Sequence, residues 1–161
     1  MATWDEFENE APETAALAKA RIDATGLLLL ASLRADGSPR ISPLEPIVHD
    51  GRLWLGMMLN STKAADLRRD GRLCLHTATE DKDVANGDAK LFGVAHEVTD
   101  GDEKQRYCDS LKAQLGHEFA PDGLHLFEVD LTGASGLVPA GTFLRITIWQ
   151  PGKGERVVER H

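Results

Sequence analysis

The sequence predicts a mainly β protein, an antiparallel barrel with about three α-helices packed on it. Short apolar segments are separated by tight turns such as Asp-Gly, and segments joined in this way pair antiparallel. No strand–helix–strand rhythm and no glycine-rich phosphate loop of the GxGxxG or GxxxxGK type is present. With 161 residues, of which 42% are hydrophobic, the chain is long enough for one domain with its own core.

The N-terminal segment is expected to be helical. Ala11–Ala24 is rich in alanine, and Pro12 suits the first turn of a helix. Acidic residues crowd the start of the chain, where the helix dipole favours them. We therefore expect a single domain over residues 1–161, with residues 1–25 as a helical segment packed on the barrel.

The remaining elements follow from hydrophobic periodicity and turn residues. Gly26–Leu33 reads as a short apolar strand, and Asp36-Gly37 predicts a hairpin after it. The further predicted strands are Arg40–His49, Arg52–Met58, Arg72–Ala78, Lys90–Val98, His125–Asp130 and Thr142–Gln150. Two more helices are predicted over Asn60–Arg69 and Asp102–Leu115, the second with an apolar stripe. The count is about seven strands and three helices.

Charge and composition restrict the partners. The net charge of −8 disfavours nucleic acid and anionic membranes, because both require basic surfaces. No apolar run is long enough to span a membrane and no targeting segment is recognised, so a cytoplasmic location is expected. Cys74 and Cys108 have no disulfide or zinc spacing, and the six histidines show no metal-binding pattern, so no metal site is predicted.

One stretch combines a strand with the start of a helix. Ser61, Thr62 and Lys63 occupy the first turn of the helix that follows Met57 and Met58. Free N–H groups and the positive end of the helix dipole make such a turn an anion site, and a lysine adds a full charge. The alternative is a simple helix cap with a solvated lysine.

Two further stretches supply candidate ligands. In the segment Arg40 to Glu45, Arg40 and Ser42 share one strand face, where the first could contact a phosphate and the second a ring. Near the C-terminus, Trp149 could either stack on a flat ligand or lie in the core. Arg160 is ordinarily a solvated tail residue.

These stretches, in this order, resemble the pyridoxamine-5′-phosphate-oxidase-like FMN-binding family. The shared pattern is a hairpin leading into Arg-x-Ser-Pro, a strand leading into a Ser-Thr-Lys helix, and a terminal Trp-Gln followed by arginines. The resemblance covers residues 27–98 and resumes in the C-terminal strand. It implies a split β-barrel that works as a homodimer, with FMN bound across the subunit interface.

The resemblance also implies roles for individual residues. Arg40 and Lys63 would hold the FMN phosphate, assisted by Ser61 and Thr62. The isoalloxazine would contact residues of three strands, namely Ile41, Ser42, Met57, Met58 and Lys90. Trp149 and Arg160 would reach the cofactor from the partner subunit. No catalytic acid or base is identified.

Two departures from the true oxidase bear on the substrate. Glu45 stands where the oxidase has a phosphate-binding lysine, and the terminal Arg-x-His-x-Arg pattern lacks its histidine. The oxidase's helical segment with its substrate-binding arginine and serine is not recognisable. An acid in place of a base opposes an anionic substrate, so oxidation of pyridoxamine phosphate is not expected.

The sequence leaves several functions open. The first is an FMN-dependent oxidoreductase acting on a small molecule. The same barrel also suits 8-hydroxy-5-deazaflavin, whose longer anionic tail would need Arg68 and Arg69. A non-catalytic dimer holding flavin or haem, or a barrel without a cofactor, is a further alternative.

Overall fold

A computed structural model describes all residues, 1–161, and confirms a mainly antiparallel fold. The helices are α1 (Trp4–Glu10), α2 (Pro12–Thr25), α3 (Thr62–Arg69) and α4 (Gly101–Leu115), with a short 3₁₀ helix over Pro121–Gly123. The strands are β1 (Leu28–Leu33), β2 (Pro39–Leu44), β3 (Pro46–His49), β4 (Arg52–Met58), β5 (Arg72–Thr77), β6 (Asp88–Val98), β7 (Leu124–Ala140), β8 (Phe143–Trp149) and β9 (Glu155–Arg160). No helix is both long enough and apolar enough to cross a membrane.

The nine strands form one antiparallel sheet in which β7 is central. The order is β2-β1-β5-β6-β7-β4-β3, and β8 and β9 continue from the second half of β7. The first half of β7 pairs with β4, whereas its second half pairs with β8. On its other side, β7 pairs with β6, with a register shift between Phe92 and Gly93. One 17-residue strand therefore joins both halves of the sheet.

The structure differs from the predicted elements at three places in the sheet. The predicted strand Arg40–His49 is two strands, interrupted at Glu45 between Pro43 and Pro46. The second half of β7 was missed because its glycines and small residues read as a loop. Those residues are small because neighbours lie close: a Cβ at Gly136 would fall 2.7 Å from the Thr147 hydroxyl. The C-terminal segment forms β9, paired with β8.

The helical segment expected over residues 1–25 consists of two helices, and the start of the first carries a recognisable signal. The Thr3 side chain accepts from the Glu6 N–H, and the Glu6 carboxylate accepts from the Thr3 N–H, which together form a capping box. Trp4 and Phe7 on its inner face are buried. The acidic cluster at the start of the chain therefore lies on a short amphipathic helix.

The N-terminal helices cover the side chain of Trp149. Trp149 is 1% exposed, its ring centroid is 4.8 Å from that of Phe7, and its indole N–H donates to Glu10 at 2.9 Å. The expectation that Trp149 contacts a partner's cofactor is therefore wrong for this structure, because α1 and α2 close over that face of β8. Trp149 is a core residue, which is the second of the two roles that the sequence allows.

We predict that Trp149→Ala lowers the free energy of unfolding by about 3–5 kcal/mol, because it leaves a large cavity between the sheet and α1. The matched control is Val157→Ala on β9, an exposed residue whose truncation should change stability by less than about 0.5 kcal/mol. Urea denaturation followed by circular dichroism measures both. Equal stability of the two variants would contradict the placement of Trp149.

Candidate functional site

The N-terminus of α3 is built by four consecutive residues, Asn60 to Lys63. Asn60 adopts a left-handed backbone (φ 61°), which asparagine tolerates, and turns the chain from β4 into the helix. Ser61 is the N-cap, and its hydroxyl accepts from the Ala64 N–H at 3.2 Å. The N–H groups of Thr62 and Lys63 have no intrahelical acceptor and point out of the helix end. This end of α3 can therefore accept an anion.

Lys63 connects this helix end to β2. Its ammonium group donates to the Pro43 carbonyl at 3.0 Å, and burial lowers the pKa of the amine. An ammonium has three donors, so two remain for other acceptors. No carboxylate of the protein pairs with Lys63, so an anion bound here would compensate the positive charge of its ammonium group.

A buried carboxylate lies one turn further along α3. Asp66 is 3% exposed and accepts from Arg40 Nε at 2.6 Å, from Arg69 at 3.0 Å and from the Ser32 hydroxyl at 3.3 Å. Burial opposes ionisation of Asp66, but the hydrogen bonds from the two guanidinium groups outweigh it and lower its pKa. The contact through Nε leaves the two terminal nitrogens of Arg40 free to bind another group.

An open cavity of about 530 Å³ lies between α4 and the ends of β2 and β4. Its walls are mainly apolar, and charged side chains occur only at Lys63 and Glu45. The other lining residues are Leu27, Pro43, Leu44, Gly56, Met57, Met58, Ser61, Tyr107, Leu111, Leu115, Phe119, Gly123 and Leu124. The α3 anion end therefore forms one rim of an apolar cavity of the size that small-molecule sites have.

Tyr107 and Gly56 meet at the base of this cavity. A Cβ at Gly56 would lie 2.3 Å from the Tyr107 hydroxyl, so glycine is required for the close approach of α4 to β4. Burial raises the pKa of Tyr107, and electrostatic interactions with Cys108 and Glu45 raise it further. The backbone of Gly56 acts in the opposite direction. The phenol therefore keeps its proton at neutral pH.

The outer face of the sheet carries a second group of side chains. Ile41 is 72% exposed, and Leu29 and Phe92 are exposed on neighbouring strands. Beside them, Lys90 Nζ lies 3.5 Å from Asp88 Oδ1, a buried oxygen that has no hydrogen-bond partner. This face therefore combines exposed apolar residues with a partly buried charge pair.

The structure brings some of the predicted site residues together and separates others. Met57, Met58, Ser61 and Lys63 all line the cavity, and the half-buried Arg40 and Ser42 lie on the inward face of β2. Thr62 is exposed at the start of α3. Ile41 and Lys90, which the resemblance places at the isoalloxazine, lie on the outer sheet face.

Like Ile41 and Lys90, two further predicted site residues lie away from this cavity. Trp149 is in the core, as described above, and Arg160 is exposed on β9, opposite Leu144 of β8. The sequence reasoning missed Tyr107 and Gly56 as site residues. The alignment of Tyr107, Leu111 and Leu115 on one helical face was visible, but it does not distinguish a core stripe from a cavity wall.

The two arginines considered for a longer anionic tail already have partners. Arg68 donates to both carboxylate oxygens of Glu97, at 2.7 and 2.5 Å, and approaches His125 Nδ1 at 2.9 Å. Arg69 donates to Asp66 and to the Leu33 carbonyl. Neither arginine lines the cavity.

The sheet and its helices define the class, a split β-barrel. The sequence model of the pyridoxamine 5′-phosphate oxidase family matches residues 14–146, which is most of the chain. The chain belongs to this family, whose members bind flavin or haem, and the resemblance found in the sequence is confirmed. Among curated proteins, none matches the sequence.

Solved structures with the same fold come from several bacteria. PhzG from Burkholderia lata, in complex with tetrahydrophenazine-1-carboxylic acid, has a TM-score of 0.66 at 13% identity over 89% of this chain and 88% of its own. Campylobacter jejuni ChuZ has a TM-score of 0.67 at 14% identity over 84% of this chain and 58% of its own. A NimC/NimA family protein from Clostridium acetobutylicum has a TM-score of 0.61 at 14% identity over 96% and 97%. At such identities the similarity shows the fold alone.

We predict that Gly56→Ala destabilises the protein by about 1–3 kcal/mol, because the new methyl group overlaps the Tyr107 hydroxyl. Tyr107→Phe in the same background removes that oxygen and should recover part of the loss. A double-mutant cycle by urea denaturation measures the coupling. Additive effects of the two substitutions would contradict the close approach of these residues.

Proposed function

We propose that this chain binds FMN and acts as an oxidoreductase on a small molecule. The observation that carries the proposal is the junction of the α3 anion end with an apolar cavity, in a chain of the pyridoxamine 5′-phosphate oxidase family. FMN has the matching parts, a phosphate at one end and a flat ring system at the other. When bound, the flavin supplies hydride transfer, and the protein supplies binding, orientation and electrostatics.

The phosphate end rests on donors from two elements. The free N–H groups of Thr62 and Lys63 and the Lys63 ammonium converge at the start of α3, and the Thr62 hydroxyl is exposed beside them. Arg40 would add a second positive charge, a guanidinium that binds through its two terminal nitrogens while Asp66 fixes its Nε. The donor set therefore fits a phosphate in charge and in hydrogen-bonding type.

The ring end rests on the strand that leads into α3. Met57 is buried in the cavity wall, whereas Met58 is 81% exposed. The strand therefore offers a flat ring one buried and one exposed apolar contact. Methionine side chains adapt well to such surfaces. Ser42, on the inward face of β2, and the backbone around Ile41 are further candidates for ring contacts, the first as a hydrogen-bond donor.

We also propose that two copies pair through the outer sheet face. Ile41, Leu29 and Phe92 leave an apolar surface exposed next to the Lys90–Asp88 pair, and exposed apolar patches of this kind mark interaction sites. Family members are commonly dimers, which supports a second copy as the partner. In such a dimer, Lys90 would lie close to the subunit interface.

Oxidation of pyridoxamine phosphate is not part of the proposal. Glu45 lines the same cavity as Lys63, and α4 offers no cation at the cavity wall. A phosphorylated substrate would meet a carboxylate instead of a base, which costs binding free energy. The substrate is therefore expected to be a different small molecule.

We predict that Lys63→Ala weakens FMN binding by about 1.5–3 kcal/mol, the typical contribution of a charged hydrogen bond, which is roughly 10- to 150-fold in Kd. Lys19→Ala, on the exposed side of α2, is the matched control and should leave Kd unchanged. Flavin fluorescence titration measures both.

The absorption spectrum of the purified protein and of protein reloaded with FMN separates the alternatives. Retained flavin that a reduced nicotinamide bleaches supports the oxidoreductase, and retained flavin that no donor reduces supports a storage role. A Soret band in the purified protein would identify haem, instead of flavin, as the bound cofactor. Unchanged FMN affinity in Lys63→Ala would refute the placement of the phosphate.

We predict that Ile41→Glu dissociates the dimer, because it buries a charge in the apolar outer face. Val157→Glu places the same charge on β9, at an exposed position outside this patch, and should leave the dimer intact. Sedimentation velocity at micromolar concentration measures both variants. A wild-type protein that sediments as a monomer would contradict the interface.

A further inference from the structure

The wall of the cavity formed by α4 is apolar along its whole length. Tyr107, Leu111 and Leu115 follow one another at intervals of four residues and all line the cavity, and Phe119 extends this wall beyond the helix. The only polar group that α4 contributes is the Tyr107 hydroxyl. A ligand against this wall therefore gains by burying apolar surface.

The cations of α4 are directed elsewhere. Lys104 donates to the Leu124 carbonyl at 2.8 Å, and Lys112 pairs with Glu118 at 2.7 Å. Arg106 lines a separate, smaller polar cavity near Arg52 and Glu103. No positive charge on this helix is therefore available to a ligand in the apolar cavity.

The charge balance of the cavity depends on its two ionisable rim residues. Under the proposed function, Lys63 is neutralised by the cofactor's phosphate. Glu45 then remains as the uncompensated charge at the cavity, and it repels a second anion.

Tyr107 supplies one directional contact. The Tyr107 oxygen lies against the backbone of Gly56 in the cavity wall, and burial raises the pKa of the phenol, which therefore stays protonated. Its proton is then available to an acceptor on a bound molecule, such as a carbonyl oxygen.

We propose that the cavity beneath α4 takes, as substrate, an apolar ring compound that carries no negative charge and accepts one hydrogen bond from Tyr107. This assignment rests on the proposed function, because it places the substrate beside the flavin. The proposed substrate carries no negative charge, whereas a phosphorylated vitamin is an anion. Tyr107, Leu111 and Leu115 are assigned as the specificity residues.

The test uses a neutral ketone, acetylnaphthalene, and its carboxylated analogue, acetylnaphthoate, added to FMN-loaded protein and followed by calorimetry. We expect the neutral probe to bind at least about tenfold more tightly than the anion. Leu115→Arg, at a position 43% exposed and therefore tolerant of a large polar group, should remove or reverse this preference. Ala113→Arg adds the same charge on the exposed side of α4, outside the cavity lining, and should leave the preference as it is in the wild type.

Tyr107→Phe tests the hydrogen bond separately. It should reduce affinity for acetylnaphthalene by roughly two- to tenfold and leave affinity for ethylnaphthalene, which has no acceptor, unchanged. An equal loss for both probes would overturn the assigned role of Tyr107.

Two results would overturn the substrate class. One is acetylnaphthoate binding as tightly as acetylnaphthalene to the wild type, and the other is FMN-loaded protein that binds neither probe. Failure of the proposed function is distinguishable from both, because flavin content is read from the absorbance before any probe is added. A protein that retains no FMN refutes the cofactor, whereas a loaded protein with the wrong probe preference refutes only the substrate class.

Discussion

The sheet is built around the hydrogen-bond ladder of β7, the one strand that pairs directly with three others, β4, β6 and β8. The strand pairs with β6 along one side and with β4 and then β8 along the other. Small residues in its second half, including Gly136, let α2 and Thr147 approach closely. The position of β4, and thereby of the α3 helix that continues from it, is set by its pairing with the first half of this one strand.

The site depends on a second constraint, the attachment of α3 to β2. Asp66 binds Arg40 from inside the fold, and Lys63 binds the Pro43 carbonyl one turn earlier. These two contacts hold the helix at a fixed height over the strand, so its first turn stays beside the cavity that Ser61 and Lys63 line. An arginine predicted as a direct ligand thus also serves to orient the helix that carries the others.

The local signals in the sequence were sufficient for much of this fold. Asp-Gly turns and alternation defined β1, β4, β5 and β6, and the Ser-Thr-Lys turn located the anion end of α3. What could not be predicted depends on distant contacts. The glycines of β7 indicate a strand only when α2 is known to cover them, and Trp149 is a core residue only because α1 folds over β8. Likewise, Tyr107 becomes a site residue through Gly56, which is remote in sequence.

The prolines of β2 have a consequence for assembly. β2 is the last strand at one end of the sheet, and β3 is the last strand at the other. Pro39 and Pro43 remove two amide hydrogens from the first edge. Pro46, the first residue of β3, removes one from the second. Neither border offers an uninterrupted row of donors, so both resist growth by strand addition, the route by which open sheets polymerise. These two borders thus discourage edge-to-edge aggregation, which leaves β9 as the edge strand without a proline.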